Sequence, residues 1–188
     1  MEPTTQRIPL RSAYKQREYR RHGIYAWLFI LAQAAVVIAL LFFFLITPVK
    51  VTGESMEPTL SPGDVLLIDR LSLYLRTPQR GNIVIFHHPH TGEPLIKRVV
   101  ALGGETIEIT GGKVYINGRL LDESSYSPES AADYPATLVE DGCVFVLGDQ
   151  REKSLDSRSE SLGCVPLSLL YGRVRLRVAP IDRPALFV

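Results

Sequence analysis

The 188-residue sequence lacks several features that would mark common protein classes. Besides the stretch at residues 24–46, it has no apolar run long enough to cross a membrane, and it has no internal repeat. After that stretch it also lacks an excess of positive charge, because residues 47–188 carry 15 basic and 18 acidic residues. This balance argues against a nucleic-acid-binding surface on that part of the chain.

The apolar stretch predicts a membrane anchor. Residues 24–46 contain no charge and one polar side chain, Gln33. As a helix they would extend about 35 Å, enough for a hydrocarbon core of about 30 Å, whereas a cleaved secretory signal has a core of about 7–15 residues. The basic residues before the stretch predict a cytoplasmic N-terminus and an extracytoplasmic remainder. We therefore expect a basic cytoplasmic tail at 1–23, an anchor at 24–46 and an extracytoplasmic domain at 47–188.

Cysteine is scarce, and this leaves two interpretations open. Cys143 and Cys164 both fall in the part expected outside the membrane, where disulfides persist. A bridge between them would close a loop of about 21 residues and contribute about 3 kcal/mol. Two unpaired buried thiols are an equally acceptable interpretation.

The part after the anchor shows short strand patterns and no convincing amphipathic helix. Runs such as 65–68, 82–86, 95–102, 143–147 and 172–178 are bounded by Gly, Pro and Asp. Residues 106–109 and 113–116 are joined by a Gly-Gly turn, and Asn117-Gly118 is a hairpin signal. Residues 122–137 are predicted to form a surface excursion. Many short strands favour a closed or folded β architecture.

Ser55 is the candidate nucleophile, and it needs a base that can be neutral. The histidines at 87, 88 and 90 are interrupted by Pro89, and no Cys, Asp or Glu completes a metal-ligand spacing, so we predict no metal site. Lys97 is the other possible base, because lysine lowers its pKa readily when buried. It shares a strand face with Leu95 and Val99, while Arg98 lies on the opposite face. Periodicity alone does not decide which cation is buried.

Four segments in this order resemble the boxes of the bacterial type I signal peptidases. They are Ser55 to Leu60, Gly63 to Val65, Lys97 to Val99, and the charged cluster Gly148 to Arg158 that follows the apolar run 144–147. The resemblance covers residues from about 24 to 176. Each box alone is a weak signal, whereas four together are specific.

The resemblance implies a membrane-bound serine endopeptidase that removes N-terminal signal peptides from exported preproteins with a Ser-Lys dyad. It implies a mainly β fold, an antiparallel sheet or barrel-like catalytic domain behind one transmembrane helix, resting on the lipid bilayer, with no cofactor and no nucleic-acid partner. Ser55 would be the nucleophile, with its backbone N–H donating to the oxyanion, and Lys97 the general base. Ser154 would orient the Lys97 amine. The remaining implied residues are a structural ion pair (Asp156, Arg158), loop-shaping residues (Asp149, Arg151) and shallow substrate pockets (Val51, Gly53, Met56, Pro58, Leu60, Ile96).

Two positions depart from the family pattern. Residue 53 is glycine where some relatives carry a serine that completes the oxyanion hole, a donor whose loss costs about 2.7–4 kcal/mol where it is used. Residue 150 is glutamine where the family usually has asparagine. The alternative function is a catalytically silent relative that assists assembly of surface proteins, although such relatives generally lack the serine or the lysine. A self-cleaving serine–lysine protease similar to the SOS repressors is disfavoured, since 23 residues are too few for their DNA-binding domain.

Overall fold

The computed structural model describes residues 24–40, 46–124, 126 and 132–187. The chain divides into two compact units, Met1–Phe44 and Leu45–Val188. In the first unit, residues 24–40 form a helix, α1. Within the described ranges no helix combines the length and the apolar character needed to cross a membrane. Residues 1–23 of the predicted tail and 41–45 of the predicted anchor lie outside the described residues.

The second unit begins with a strand where the anchor was expected to end. Strand β1, Ile46–Lys50, pairs antiparallel with β2, Val65–Asp69, so that Ile46 lies opposite Asp69 and Lys50 opposite Val65. Ile46 therefore belongs to a sheet and not to the predicted anchor. A short apolar run does not distinguish helix from strand by itself, and here a pairing partner some twenty residues further along decides the outcome.

The remaining elements are mostly short strands. They are α2 (Ser72–Leu75), β3 (Ile83–His87), β4 (Pro94–Leu102), β5 (Thr106–Thr110), β6 (Lys113–Ile116), β7 (Arg119–Leu120), β8 (Tyr134–Leu138), β9 (Cys143–Leu147), β10 (Val165–Pro166), β11 (Leu170–Ala179) and β12 (Ala185–Leu186), with 3-10 turns at Arg151–Lys153 and Leu167–Leu169. The mainly β class predicted from the sequence is confirmed.

The described strands form two sheets in which every pairing is antiparallel. The larger sheet has the order β1-β2-β11-β3-β4-β9-β10, with β12 added to β11, and the smaller has the order β7-β6-β5-β8. Between the described strands no pairing joins β1 to β10, so the larger sheet is open and does not close as a barrel. Apolar residues of β5, β6 and β9 form one core cluster, and two others pack on the larger sheet.

The structure confirms the hairpin predicted at residues 117–118 and shortens the surface excursion predicted at residues 122–137. Asn117 and Gly118 have φ values of +51° and +74°, as a two-residue hairpin turn requires, and they connect β6 to β7. The predicted excursion at 122–137 is shorter than expected, because Tyr134 opens strand β8, which pairs with β5. The polar residues and the proline of this segment gave no strand pattern, because β8 is stabilised by its pairing with β5 and not by its own residue preferences.

The position of β4 determines what surrounds the candidate site. Lys97 lies opposite Val84 of β3, and Arg98 lies between Ile83 of β3 and Leu147 of β9. Because β9 ends at Leu147, the charged segment that follows it starts beside the middle of β4. Residues far apart in the chain are thus brought to one place.

Candidate active site

Ser55 lies in a tight turn that follows β1. The turn is closed by backbone hydrogen bonds from Glu57 N to Glu54 O (3.0 Å) and from Leu60 N to Met56 O (2.8 Å). The carbonyl oxygen of Ser55 accepts a hydrogen bond from the backbone N–H of Gln150 (3.0 Å), which ties this turn to the segment after β9. The Ser55 side chain is half-buried. Its position is therefore held from both sides while its hydroxyl stays accessible.

Lys97 is buried, and its amine contacts the Ser55 hydroxyl. The side chain is 2% exposed, and Nζ lies 2.6 Å from Ser55 Oγ. Burial lowers the pKa of Lys97 to about 8, although the negative charges of Asp156 and Asp149 act in the opposite direction. Lys97 forms no ion pair with the residues that the structure describes. At pH 7 about a tenth of this amine is therefore neutral and able to accept a proton.

The structure also resolves the choice between Lys97 and Arg98, since both cations are buried but in different ways. Arg98 is 7% exposed and binds the Asp149 carboxylate with two hydrogen bonds, Nε to Oδ1 (2.8 Å) and a terminal nitrogen to Oδ2 (2.6 Å). It also donates to the Gly81 carbonyl (2.9 Å), and its guanidinium lies 4.0 Å from the centre of the Tyr126 ring. The arginine is paired with a carboxylate, whereas the lysine contacts no counter-ion among the described residues.

Ser154 lies beside the catalytic candidates without the predicted hydrogen bond. Its hydroxyl is buried and has no partner among the described residues, so the expected contact with the Lys97 amine is not formed. Gly148 packs so closely here that a Cβ at this position would lie 2.5 Å from the Ser55 carbonyl oxygen and equally close to Ser154 Cβ. The absence of a side chain at residue 148 therefore allows the Ser55 turn to pack against this segment.

The predicted ion pair between Asp156 and Arg158 is present. Arg158 Nε contacts Asp156 Oδ1 at 2.9 Å, and a terminal nitrogen contacts Oδ2 at 3.0 Å. The same carboxylate accepts the Gly148 N–H (3.1 Å), while Arg158 donates to the Arg151 carbonyl (2.6 Å). These contacts cross the segment from 148 to 158 and hold its two ends together.

Arg151 connects this segment to a part of the chain that the sequence did not implicate. Its Nε donates to the Gly148 carbonyl (2.9 Å), and its terminal nitrogens bind the Glu123 carboxylate. Glu123 in turn accepts from the Tyr126 hydroxyl (3.3 Å). Glu123 and Tyr126 lie in the region predicted to be a plain surface excursion, and no local pattern points to them because their partners are distant in sequence.

A groove of about 450 Å³ passes the candidate dyad. Four of the predicted substrate-contacting residues line it, together with both candidate catalytic residues: Val51, Gly53, Met56, Ile96, Ser55 and Lys97. Pro58 and Leu60 are not brought to the groove, and Leu60 is fully buried in the core behind it. Val49, Pro94 and Leu95 are lining residues that the sequence did not indicate.

Gly53 has room beside it. A Cβ built at this position would meet no atom within 4 Å. A serine side chain would therefore fit at residue 53 without displacing its neighbours. The glycine at this position is not imposed by a close contact with the described residues.

The histidines and cysteines considered in the sequence lie outside the candidate dyad. His88 is 5% exposed, and its Nδ1 accepts the backbone N–H groups of His90 (3.2 Å) and Thr91 (3.3 Å), which closes the turn between β3 and β4. Cys143 and Cys164 are both free, so the bridge left open by the sequence is not present in this structure. Burial, followed by the neighbouring Cys164, raises the pKa of Cys143 to about 11.

The chain is similar to proteins of one known family. A family described as signal peptidase, peptidase S26, matches residues 24–179. A probable signal peptidase I-1 of a Synechocystis strain is 38% identical over 162 residues, which cover 81% of this chain and 82% of the relative. Signal peptidase I of Bacillus caldolyticus is 33% identical, covering 80% and 88%. A crystal structure of a signal peptidase I from Enterococcus faecalis matches with 31% identity and a TM-score of 0.46, covering 52% of this chain and 96% of that one.

Proposed function

The chain belongs to the signal peptidase family, peptidase S26, and we propose that it removes the signal peptides of exported preproteins as a serine endopeptidase with a Ser55–Lys97 dyad. One observation carries the assignment of the dyad. The amine of a lysine that is 2% exposed lies 2.6 Å from the hydroxyl of a serine in an accessible groove. A buried amine of lowered pKa is a base matched to a serine nucleophile.

In this mechanism neutral Lys97 accepts the hydroxyl proton of Ser55, and Oγ attacks the carbonyl carbon of the scissile peptide bond. The C–N bond then breaks, and the Lys97 ammonium returns its proton to the leaving amine. Water completes the cycle by attacking the acyl-enzyme, with Lys97 again accepting the proton and Ser55 recovering it. Water is thereby consumed, one peptide bond is cleaved, and the enzyme is restored.

The oxyanion of the tetrahedral intermediate needs hydrogen-bond donors. The Ser55 backbone N–H donates to no acceptor among the described residues, so it is available for this role. Gly53 supplies no side-chain donor, and the open space beside it permits a direct test. We expect Gly53→Ser to fold normally, and an increase in kcat would identify residue 53 as a site where a second donor can act.

The neighbouring residues have supporting roles in the proposal. Asp156 and Arg158 hold the two ends of the segment together, and Asp149 and Arg151 fix it to β4 and to Glu123. The Ser154 hydroxyl has no hydrogen-bond partner among the described residues, and its proposed role is to orient the Lys97 amine. Val51, Met56 and Ile96 offer the apolar walls of a groove suited to small side chains around the cleaved bond.

We further propose that the enzyme is held at a membrane by the apolar segment that begins at Ile24, with its N-terminus cytoplasmic and the unit Leu45–Val188 outside. The support comes from the sequence. Six basic residues precede the segment against two acidic ones, and residues 24–40 are uncharged. Such a location would bring the dyad to preproteins as they emerge from the bilayer.

The test uses the purified full chain in detergent or liposomes and a preprotein with an Ala-X-Ala cleavage site. We expect wild type to cleave it, and Ser55→Ala and Lys97→Ala to be inactive while remaining folded. Lys113→Ala, an exposed residue of β6, serves as a control and should retain activity. A folded but inert wild-type protein would favour the silent assembly factor instead, and activity of either dyad variant would refute the dyad.

A further inference from the structure

A second cavity lies away from the groove and has a different chemical character. It has a volume of about 480 Å³ and is lined by the end of β2, by α2 with the loop that follows it, and by β11. No lining residue is shared with the groove that contains Ser55. Three arginines line it, Arg76, Arg173 and Arg175, with Asp69 as the one acidic residue of its lining.

Asp69 is already engaged, so it does not neutralise the cluster. Arg175 Nε contacts Asp69 Oδ2 at 3.2 Å, and Asp69 Oδ1 accepts the backbone N–H of Ser72 at 3.0 Å. Arg76 is exposed and makes no ion pair with any described residue. The cavity therefore keeps an excess of positive charge after its internal pairing is complete.

Arg173 is the least satisfied member of this cluster. One terminal nitrogen donates to Asn82 Oδ1 (3.0 Å), but Nε is buried and has no hydrogen-bond partner among the described residues. No carboxylate of the described chain pairs with this guanidinium. Burial, then the positive charges of Arg175 and Arg76, lower the pKa of Arg173 against the pull of Asp69. A charged donor group left without a counter-ion is costly, and Arg173 is a half-buried residue that lines the cavity, so the arginine cluster as a whole lacks a partner.

The missing partner has to be an anion with several acceptor oxygens. A guanidinium is a planar fork of donors that matches the oxygens of a phosphate group, and several arginines around one cavity can share such a group. A volume of this size accommodates more than a lone ion and lies in the range of small-molecule sites. Leu71 and Leu75 also line the cavity and are 40% and 71% exposed, so an apolar group attached to the phosphate would find contacts.

We propose that this cavity binds a phosphate group through Arg173, Arg76 and Arg175, supplied either by a phospholipid headgroup or by a free phosphate compound. The site is independent of the peptidase mechanism, since it uses none of the residues of the dyad or the groove. Binding balances the excess positive charge of the cavity. It also fixes the loop after α2 to β11, because Arg76 lies on one and Arg173 on the other.

The test measures binding to the full chain in a zwitterionic detergent without phosphate, by calorimetry at constant ionic strength. The probes are inorganic phosphate, glycerol phosphate and short-chain phosphatidylglycerol. Arg173→Gln and Arg76→Gln should each weaken binding about tenfold, the effect of removing one charge-assisted hydrogen bond. Arg119→Gln, an exposed arginine of β7, is the matched control and should bind as wild type does. Arg76→Gln remains informative if Arg173→Gln fails to fold, since the Arg76 side chain is exposed and makes no ion pair with the described residues.

The probes distinguish the two sources of phosphate. Phosphatidylglycerol binding at least tenfold tighter than glycerol phosphate would identify the lipid headgroup, and equal binding would identify a free phosphate compound. The proposal is overturned if wild type binds none of the three probes, or if the folded Arg173 and Arg76 variants bind as tightly as the Arg119 control. Cleavage of preprotein is not part of the readout, so failure here leaves the proposed peptidase function untouched.

Discussion

Raising the pH should activate the enzyme through the titration of Lys97. Burial lowers the pKa of this lysine from 10.5 to about 8 against the opposing charges of Asp156 and Asp149. With a pKa of 8 the amine is about 9% neutral at pH 7, whereas a free lysine near 10.4 is about 0.04% neutral. The environment of Lys97 therefore increases the population of the reactive form about 200-fold at this pH. The rate should follow that population.

The assay is the pH dependence of kcat/KM for preprotein cleavage between pH 6 and 10. We expect a rise of about tenfold per pH unit below pH 7 and a plateau above pH 9, with a midpoint near 8. Lys97→Arg should be inactive because a guanidinium does not release its proton, whereas Lys113→Arg should keep the wild-type profile. A flat profile, a midpoint near 10.4, or turnover by Lys97→Arg would refute the reasoning.

The same shift predicts a stability effect that does not depend on the assay. A pKa lowered from 10.5 to about 8 corresponds to about 3 kcal/mol that the fold loses by burying the charged amine. Between these two values the unfolded chain binds more protons than the folded one, so the free energy of unfolding rises with pH across this window. Lys97→Met should thus be more stable than wild type at pH 7. The gain should be at most about 3 kcal/mol, because the variant also loses the contact with Ser55. Urea unfolding should show this gain shrinking by pH 10.5, and an equal gain at both pH values would contradict it.

Three further experiments test the surroundings of the dyad and the burial of Cys143. Gly148→Ala should lower kcat about 100-fold, because its Cβ would overlap the Ser55 carbonyl oxygen and displace the nucleophile, and an unchanged kcat would refute this contact. Asp149→Ala should reduce the free energy of unfolding by about 3–5 kcal/mol, since it leaves the buried Arg98 charge unpaired, and a loss below 1 kcal/mol in urea unfolding would exclude that pairing. Native Cys143 should be alkylated by iodoacetamide at pH 8 at least tenfold more slowly than in urea, because its pKa is raised to about 11, and equal rates would show that the thiol is not protected.

Much of the fold could be predicted from local patterns. Alternation and turn residues predicted β2 to β6, and Asn117-Gly118 predicted the hairpin that follows. The two-residue strands β10 and β12 were not predicted, and the longer strands that were missed, β1 and β8, have weak or misleading patterns of their own. Each is stabilised by a partner, β2 for one and β5 for the other, so no window along the chain reveals them.

The sequence by itself determined the residue types available for chemistry and their order along the chain. Ser55, Lys97 and the charged segment from Gly148 to Arg158 were identifiable from residue type and from the resemblance to a family. The tertiary structure decided which of the two cations pairs with a carboxylate. Arg98 meets a carboxylate 51 residues away, and Lys97 meets a hydroxyl 42 residues away. The alternation of a strand places neighbouring side chains on opposite faces but does not specify what faces them, and the electrostatics of a buried amine depend on those distant partners.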